Sequence, residues 1–174
     1  YSLEYTSNRL GCPYVHCKSV NDVEIIDQIR TLSPDLILVH SFSEILKTSL
    51  ISTPQLGVFN FHPGNLPGNQ GANPIEWSVL KRDQEITTCC HKITRGIDSG
   101  DVMLCRQVNL SGSKSWSHVR RKAIESVLLA LEAFNHDFHI LAGIPQIKDE
   151  MLYNPRTTAI QKYKARLLSM CIYR

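Results

Sequence analysis

Residues 57–64 read Gly-Val-Phe-Asn-Phe-His-Pro-Gly. In an extended strand alternate side chains share a face, so Asn60 and His62 project together while Phe59 and Phe61 anchor the opposite side. Pro63-Gly64 cannot continue a central strand, which puts the amide and the imidazole at the strand's end, where α/β proteins build their sites. Thirty-six positions past the histidine lies Asp98, within Gly96-Ile97-Asp98-Ser99-Gly100-Asp101. In that Gly-flanked loop Asp98 could orient the imidazole and stabilise its charged form. An amide donor, an imidazole and a carboxylate together suit acyl transfer.

Outward from this strand the chain alternates. Pro13–Cys17 is a short strand candidate. Asn21 or Asp22 caps a helix with Val23, Ile26 and Ile29 at helical spacing, and this helix stops before Pro34. The apolar run Asp35-Leu-Ile-Leu-Val-His40 reads as a strand buried on both faces of a parallel sheet. A short helix over 44–50 leads to the strand at 57–62. A helix over 71–81, strands over 87–94 and 102–110, and a long helix over 115–141 follow. Alternating strands and helices predict an α/β fold, Rossmann-like, with a twisted, mostly parallel sheet covered by helices on both faces. No GxGxxG is present, so the usual dinucleotide fingerprint is absent.

At 174 residues and 43% apolar content the chain supports one domain with its own core. Its net charge of +3 is uneven: residues 151–174 carry Arg156, Lys162, Lys164, Arg166 and Arg174 with no acid. We therefore separate a core over 1–150 from a basic C-terminal tail over 151–174, which reads as a solvated segment or as a surface for phosphate or a partner. Tyr163, Leu167 and Cys171 fall at i, i+4 and i+8, so the tail is expected to form a helix packed on the core or on a second subunit. The six cysteines show no CxxC spacing and are expected to be reduced, mostly buried thiols in a cytoplasmic protein, with no disulfide framework and no zinc site. No apolar run approaches the roughly 20 residues of a membrane helix, and no signal peptide is evident.

With these segments in place the chain resembles the folate-dependent formyltransferase family. The resemblance rests on Asn60-Phe61-His62-Pro63, Leu66-Pro67, Gly71 and Ile97-Asp98-Ser99-Gly100-Asp101, and runs from about Pro13 to Leu110. It implies transfer of a formyl group from 10-formyltetrahydrofolate, without a metal, to the primary amine of a small acceptor such as an amino sugar. Asn60, His62 and Asp98 fall on the family's catalytic positions. Asn60 would donate to the formyl oxygen, His62 would stabilise the oxyanion or pass a proton from a ring facing the cleft, and Asp98 would hold His62 and help accept the amine's proton through water.

For the folate, the resemblance points to Phe42, Ser43, Glu44 and Leu46 in the loop after one strand. Thr94, Arg95, Gly96 and Ile97 would form the second wall. Ile45, like Leu46, is either an apolar wall or a core residue of a helix, and His91 either joins the site or is a packed histidine. The chain departs from the pattern at Gly64-Asn65 and Asn69-Gln70, so the loop that meets the acceptor differs. It also lacks the family's first strand and glycine turn, which suggests a fragment.

The acceptor is expected to be a small molecule, with a phosphorylated or nucleotide-linked amine suiting the basic tail. A membrane is not expected, tRNA is a poor candidate and a homodimer is open. The alternatives are a 10-formyltetrahydrofolate hydrolase, a metal hydrolase using His62, His91 and Asp98 or Asp101, and a folate-binding module without turnover.

Overall fold

The computed structural model describes residues 2–171 and 173. Tyr1 and Arg174, the latter part of the tail's charge, lie outside the described residues. Helix α1, Leu3–Leu10, opens on Ser2, whose hydroxyl accepts from the Tyr5 N–H, and buries no side chain. Helix α2, Val23–Leu32, stops at Ser33, one residue before Pro34. Strand β1, Leu36–His40, and strand β2, Gly57–His62, are parallel and joined through the short helix α3, Thr48–Ile51. Strand β3, Gln70–Gly71, precedes α4, Pro74–Lys81, which starts on a proline as first-turn positions permit. Strands β4, Glu85–Lys92, and β5, Val102–Asn109, lead to α5, Trp116–Asp137. Strand β6, Tyr153–Asn154, and α6, Ala159–Cys171, complete the strands and α-helices among the described residues.

The main sheet has the order β1-β2-β4-β5, parallel between β1 and β2 and antiparallel in the other two pairings. The α/β layering holds, on a mixed sheet. On one face Phe59 and Phe61 pack against Ala130 and Phe134 of α5, with the Phe134 ring 5.2 Å from Phe59 and 5.5 Å from Phe61. Burying one such ring contributes about 1.5–3 kcal/mol, so this contact fixes which face of β2 is left for polar side chains. On the other face Val58 meets Ile26 of α2 and Leu46 and Leu50, with Ile93 at the margin. A third cluster joins Val79, Ile86, Leu110, Val119, Ala123, Ala165 and Tyr173 beneath α4, α5 and α6.

Several expectations are corrected. Pro13–Cys17 forms no strand, because its residues are mostly exposed and no described strand pairs with them. Strand β1 lies at a sheet edge, where Leu38 stays 43% exposed. The helix expected from 44 shrinks to Thr48–Ile51, because Ser19 and Asn21 bind the Glu44 carboxylate and Asn21 accepts the Lys47 N–H. Helix α6 packs through Ala165, Leu168 and Ser169, while Tyr163, Leu167 and Cys171 face outward. Cys89 and Cys105 are not free thiols: they sit opposite each other on β4 and β5, with Cα atoms 4.1 Å apart, and form a disulfide. That pairing is set by strand register, which no cysteine spacing reveals.

The segment at 152–157 is stitched to the loop after β2. Leu152 donates to the Pro67 carbonyl and accepts from Gln70, Asn154 accepts from Ala72, and the Trp77 indole donates to Pro155. The Asn154 amide donates to Asn69 Oδ1 at 2.7 Å, and Asn73 Oδ1 accepts the Thr157 N–H.

Candidate active site

The parity of β2 decides the site. Val58, Asn60 and His62 share one face, and His91 of β4 lies directly across from Asn60 in the antiparallel register. The loop after β4 returns over this face because Lys92 and Asp101 close its base, the Lys92 N–H donating to the Asp101 carbonyl at 2.9 Å. Asp98, in the left-handed conformation at φ 46°, then projects its carboxylate between the two strands.

Asp98 is the hub. Its Oδ1 accepts from Asn60 Nδ2 at 3.3 Å and lies 3.3 Å from His91 Nε2. Its Oδ2 lies 3.5 Å from His62 Nδ1 and accepts the Gly71 backbone N–H at 2.9 Å. Asn60 Nδ2 is also 3.2 Å from His91 Nε2. The amide, the carboxylate and both imidazoles thus converge, although they are spread over residues 60–98.

The ring of His62 is turned inward, against the expectation that it faces a cleft. It is 5% exposed, and its Nε2 is 2.7 Å from the Asn69 carbonyl. A carbonyl only accepts, so Nε2 carries the proton and Nδ1 of the neutral ring is a lone pair facing Asp98. The backbone imposes this: Gly64 passes so close that an added Cβ would lie 2.5 Å from His62 Nε2 and 2.7 Å from the Asn69 oxygen. His91 repeats the pattern, with Nδ1 3.1 Å from the Lys92 carbonyl and Nε2 towards Asp98. A proton added at either inner nitrogen turns a lone-pair contact with the carboxylate into an ion pair.

Burial pushes His62 below its ordinary value of 6.5, against the opposing pull of the Asp98 charge and of the Asn69 carbonyl. Burial alone would raise Asp98, yet once the rings are protonated the His91 hydrogen bond and the His62 charge, with the Gly71 N–H, carry it below its ordinary 3.8. The Gly71 N–H donates whatever the state of the histidines, so Asp98 is held as the anion.

The residues expected at the folate are placed unevenly. Phe42 and Ile97 are 45% and 44% exposed, and Ser43, Thr94, Arg95 and Gly96 are exposed as well. Leu46 instead belongs to the core, 8% exposed beside Ile26 and Val58, and Glu44 is bound by Ser19 and Asn21. Ile45, 68% exposed, is not a core residue. Leu46 and Ile93 meet in one apolar cluster, which anchors the two loops to a common base. Among the described residues no group of three His, Cys, Asp or Glu is arranged to hold a metal ion. Sequence reasoning missed Gln70, Gly71 as an Asp98 donor, and Gln146. Asn69-Gln70 stands out in the sequence only as a departure from the family's pattern, and nothing in the spacing of Gln146 announces it.

The sequence profile of the family described as Formyl transferase matches residues 7–127. Methionyl-tRNA formyltransferase of Thermotoga sp. (strain RQ2) is 32% identical over 114 residues, 65% of this chain and 36% of the relative. The enzyme of the same name from Orientia tsutsugamushi is 26% identical over 148 residues, 84% of this chain and 48% of the relative. The chain therefore spans between about a third and a half of the length of these curated relatives. Among solved structures, the formyltransferase PseJ from Anoxybacillus kamchatkensis, in complex with UDP-4,6-dideoxy-4-formamido-L-AltNAc and tetrahydrofolate, superimposes with a TM-score of 0.72. Its identity is 18%, covering 98% of this chain and 94% of that one. HypX from Aquifex aeolicus in complex with tetrahydrofolic acid gives a TM-score of 0.58 at 22% identity, covering 78% of this chain and 24% of that one.

Proposed function

The chain belongs to the formyl transferase family, and on that premise we propose that it moves a formyl group from 10-formyltetrahydrofolate to a primary amine through a tetrahedral intermediate. The observation that carries this reading is the Asp98 carboxylate, shared by Asn60, His62 and His91 at 3.3–3.5 Å. The amine attacks the formyl carbon, its oxygen gains negative charge, and the C–N bond to the folate then breaks as the folate nitrogen takes up a proton. Asn60 Nδ2, whose present partners are distant at 3.2 and 3.3 Å, donates to that oxygen. Such a donor supplies about 2.7–4 kcal/mol in comparable sites. Asp98 receives the amine's proton through water. His62, with both nitrogens engaged inside the protein, acts by holding Asp98 and sharing its proton.

Exposed Phe42 and Ile97, together with the loop at 94–97, suit the flat ring of a reduced folate. For the acceptor we favour a nucleotide-linked amino sugar. The overlay with PseJ along 94% of that chain supports it, as does Arg156 in the segment bound to the loop after β2, with Lys162, Lys164 and Arg166 following on α6. Methionyl-tRNA is the second reading, supported by the 32% identity to the Thermotoga enzyme. Tetrahydrofolate release should be followed with UDP- and dTDP-linked amino sugars, with methionyl-tRNA and with no amine. Release only with a sugar nucleotide is expected. Release only with the tRNA transfers the proposal to the second reading, and equal release without amine makes the chain a hydrolase.

A further inference from the structure

We propose that Gln146 is a positioning residue for the reaction, a strut that fixes the backbone of the Asp98 loop and so aims its carboxylate. The role in turnover rests on the formyl-transfer reading, but the placement does not. Both protons of Gln146 Nε2 are used on the loop: one goes to the Asp98 carbonyl at 2.8 Å and one to the Gly100 carbonyl at 2.7 Å. Its Oε1 accepts from Gln70 Nε2 at 3.1 Å, and Gln70 Nε2 also donates to the Asp98 carbonyl at 3.2 Å. Every hydrogen-bonding group of the Gln146 amide that can reach the loop is therefore committed to it or to Gln70.

The strut is built from far away in sequence. Ile144 bridges Val102 with two backbone hydrogen bonds of 2.9 Å, and Gly143 packs so tightly on Asp101 that an added Cβ would lie 2.8 Å from its side chain. This antiparallel contact carries the chain past the loop base and delivers Gln146 beneath Asp98. The loop needs such support, since Asp98 holds a φ of 46°, a region that non-glycine residues occupy only when their surroundings hold them there. Gln70 couples the strut to the other side of the site, because the next residue, Gly71, gives its N–H to Asp98 Oδ2. One amide thus ties the carbonyl of Asp98, and a second ties the strand that grips its carboxylate.

The test compares Gln146→Met, which keeps the length and loses both donors, with Gln146→Glu, which sets oxygens against two carbonyls. Amide hydrogen exchange by NMR reports the placement without any substrate. We expect Gly71 exchange to accelerate about tenfold in Gln146→Met, as its hydrogen bond to Asp98 loosens, with Phe59 and Phe61 in β2 unchanged. Turnover should fall about 100-fold, the cost of roughly 1 Å of misplacement, with KM for both substrates within about twofold. Gln146→Glu should be worse in both readouts. Unchanged Gly71 exchange in Gln146→Met overturns the proposal. So does a Met variant that does not fold, or exchange that rises equally through β2, since the residue is then merely structural. If the unaltered protein releases no tetrahydrofolate, the formyl-transfer reading fails while the exchange comparison still decides the strut.

Discussion

Gly71 donates its backbone N–H to Asp98 Oδ2 at 2.9 Å, so the short strand β3 also orients the central carboxylate. Gly71 has φ 96°, and a Cβ added there would run into the Asn154 carbonyl and the Tyr153 ring. Gly71→Ala should therefore be strained both by conformation and by the segment packed on it. We expect it to lose activity and roughly 1–3 kcal/mol of stability in urea denaturation, the usual cost of overpacking. Stability within about 0.5 kcal/mol of the unaltered protein would contradict the packing.

Asn60→Asp should be more damaging than Asn60→Ala. The alanine only removes a donor, whereas the aspartate places a second carboxylate where Nδ2 now sits, 3.3 Å from Asp98 Oδ1. Two carboxylates so close do not both ionise. Turnover should drop about 100-fold or more for the alanine and further for the aspartate, whose residual activity should shift to lower pH. Equal turnover in the two variants would argue that Asn60 does not face Asp98.

Stability should fall on acidification in two stages. Burial places folded His62 below its ordinary 6.5, and the net of its contacts places Asp98 below 3.8. In both cases the unfolded chain binds the proton more tightly. The contribution is present above the unfolded value and is lost as pH falls through the folded one. His62→Gln should flatten the decline that begins below about 6.5, and Asp98→Asn the one below about 3.8. Urea midpoints taken across pH would show this, and a His62→Gln curve parallel to the original would contradict it.

Thiol counting tests the sheet. Cys12, Cys17, Cys90 and Cys171 are free, and Cys89 is paired with Cys105. Denatured protein kept from reductant should give four reactive thiols of the six cysteines, and all six after reduction. Six without reductant would return both residues to the reduced state that the sequence suggested.

How much of this was legible follows from where the information lies. The strand Gly57–His62 was readable to the residue and the helix from Val23 to within one or two, because parity, a capping residue and Pro34 are local signals. Asn60, His62 and Asp98 were readable as a set, and their convergence followed. The inward turn of His62 was not, because it depends on a carbonyl seven residues away, on Asn69, whose side chain is bonded to Pro74, Ser78 and Asn154. His91 could have been promoted by writing out the register of β2 against β4, which places it opposite Asn60. Gln146 and the Cys89–Cys105 bridge were out of reach, since both arise from pairings between distant segments.

The central claim is that amine-dependent formyl transfer runs through the carboxylate shared by Asn60, His62 and His91. It is tested most directly by Asp98→Asn, assayed for tetrahydrofolate release with and without the amine acceptor. The account predicts that amine-dependent release falls by about 100-fold or more while KM for the folate changes little. Release by Asp98→Asn at the unaltered rate would contradict it.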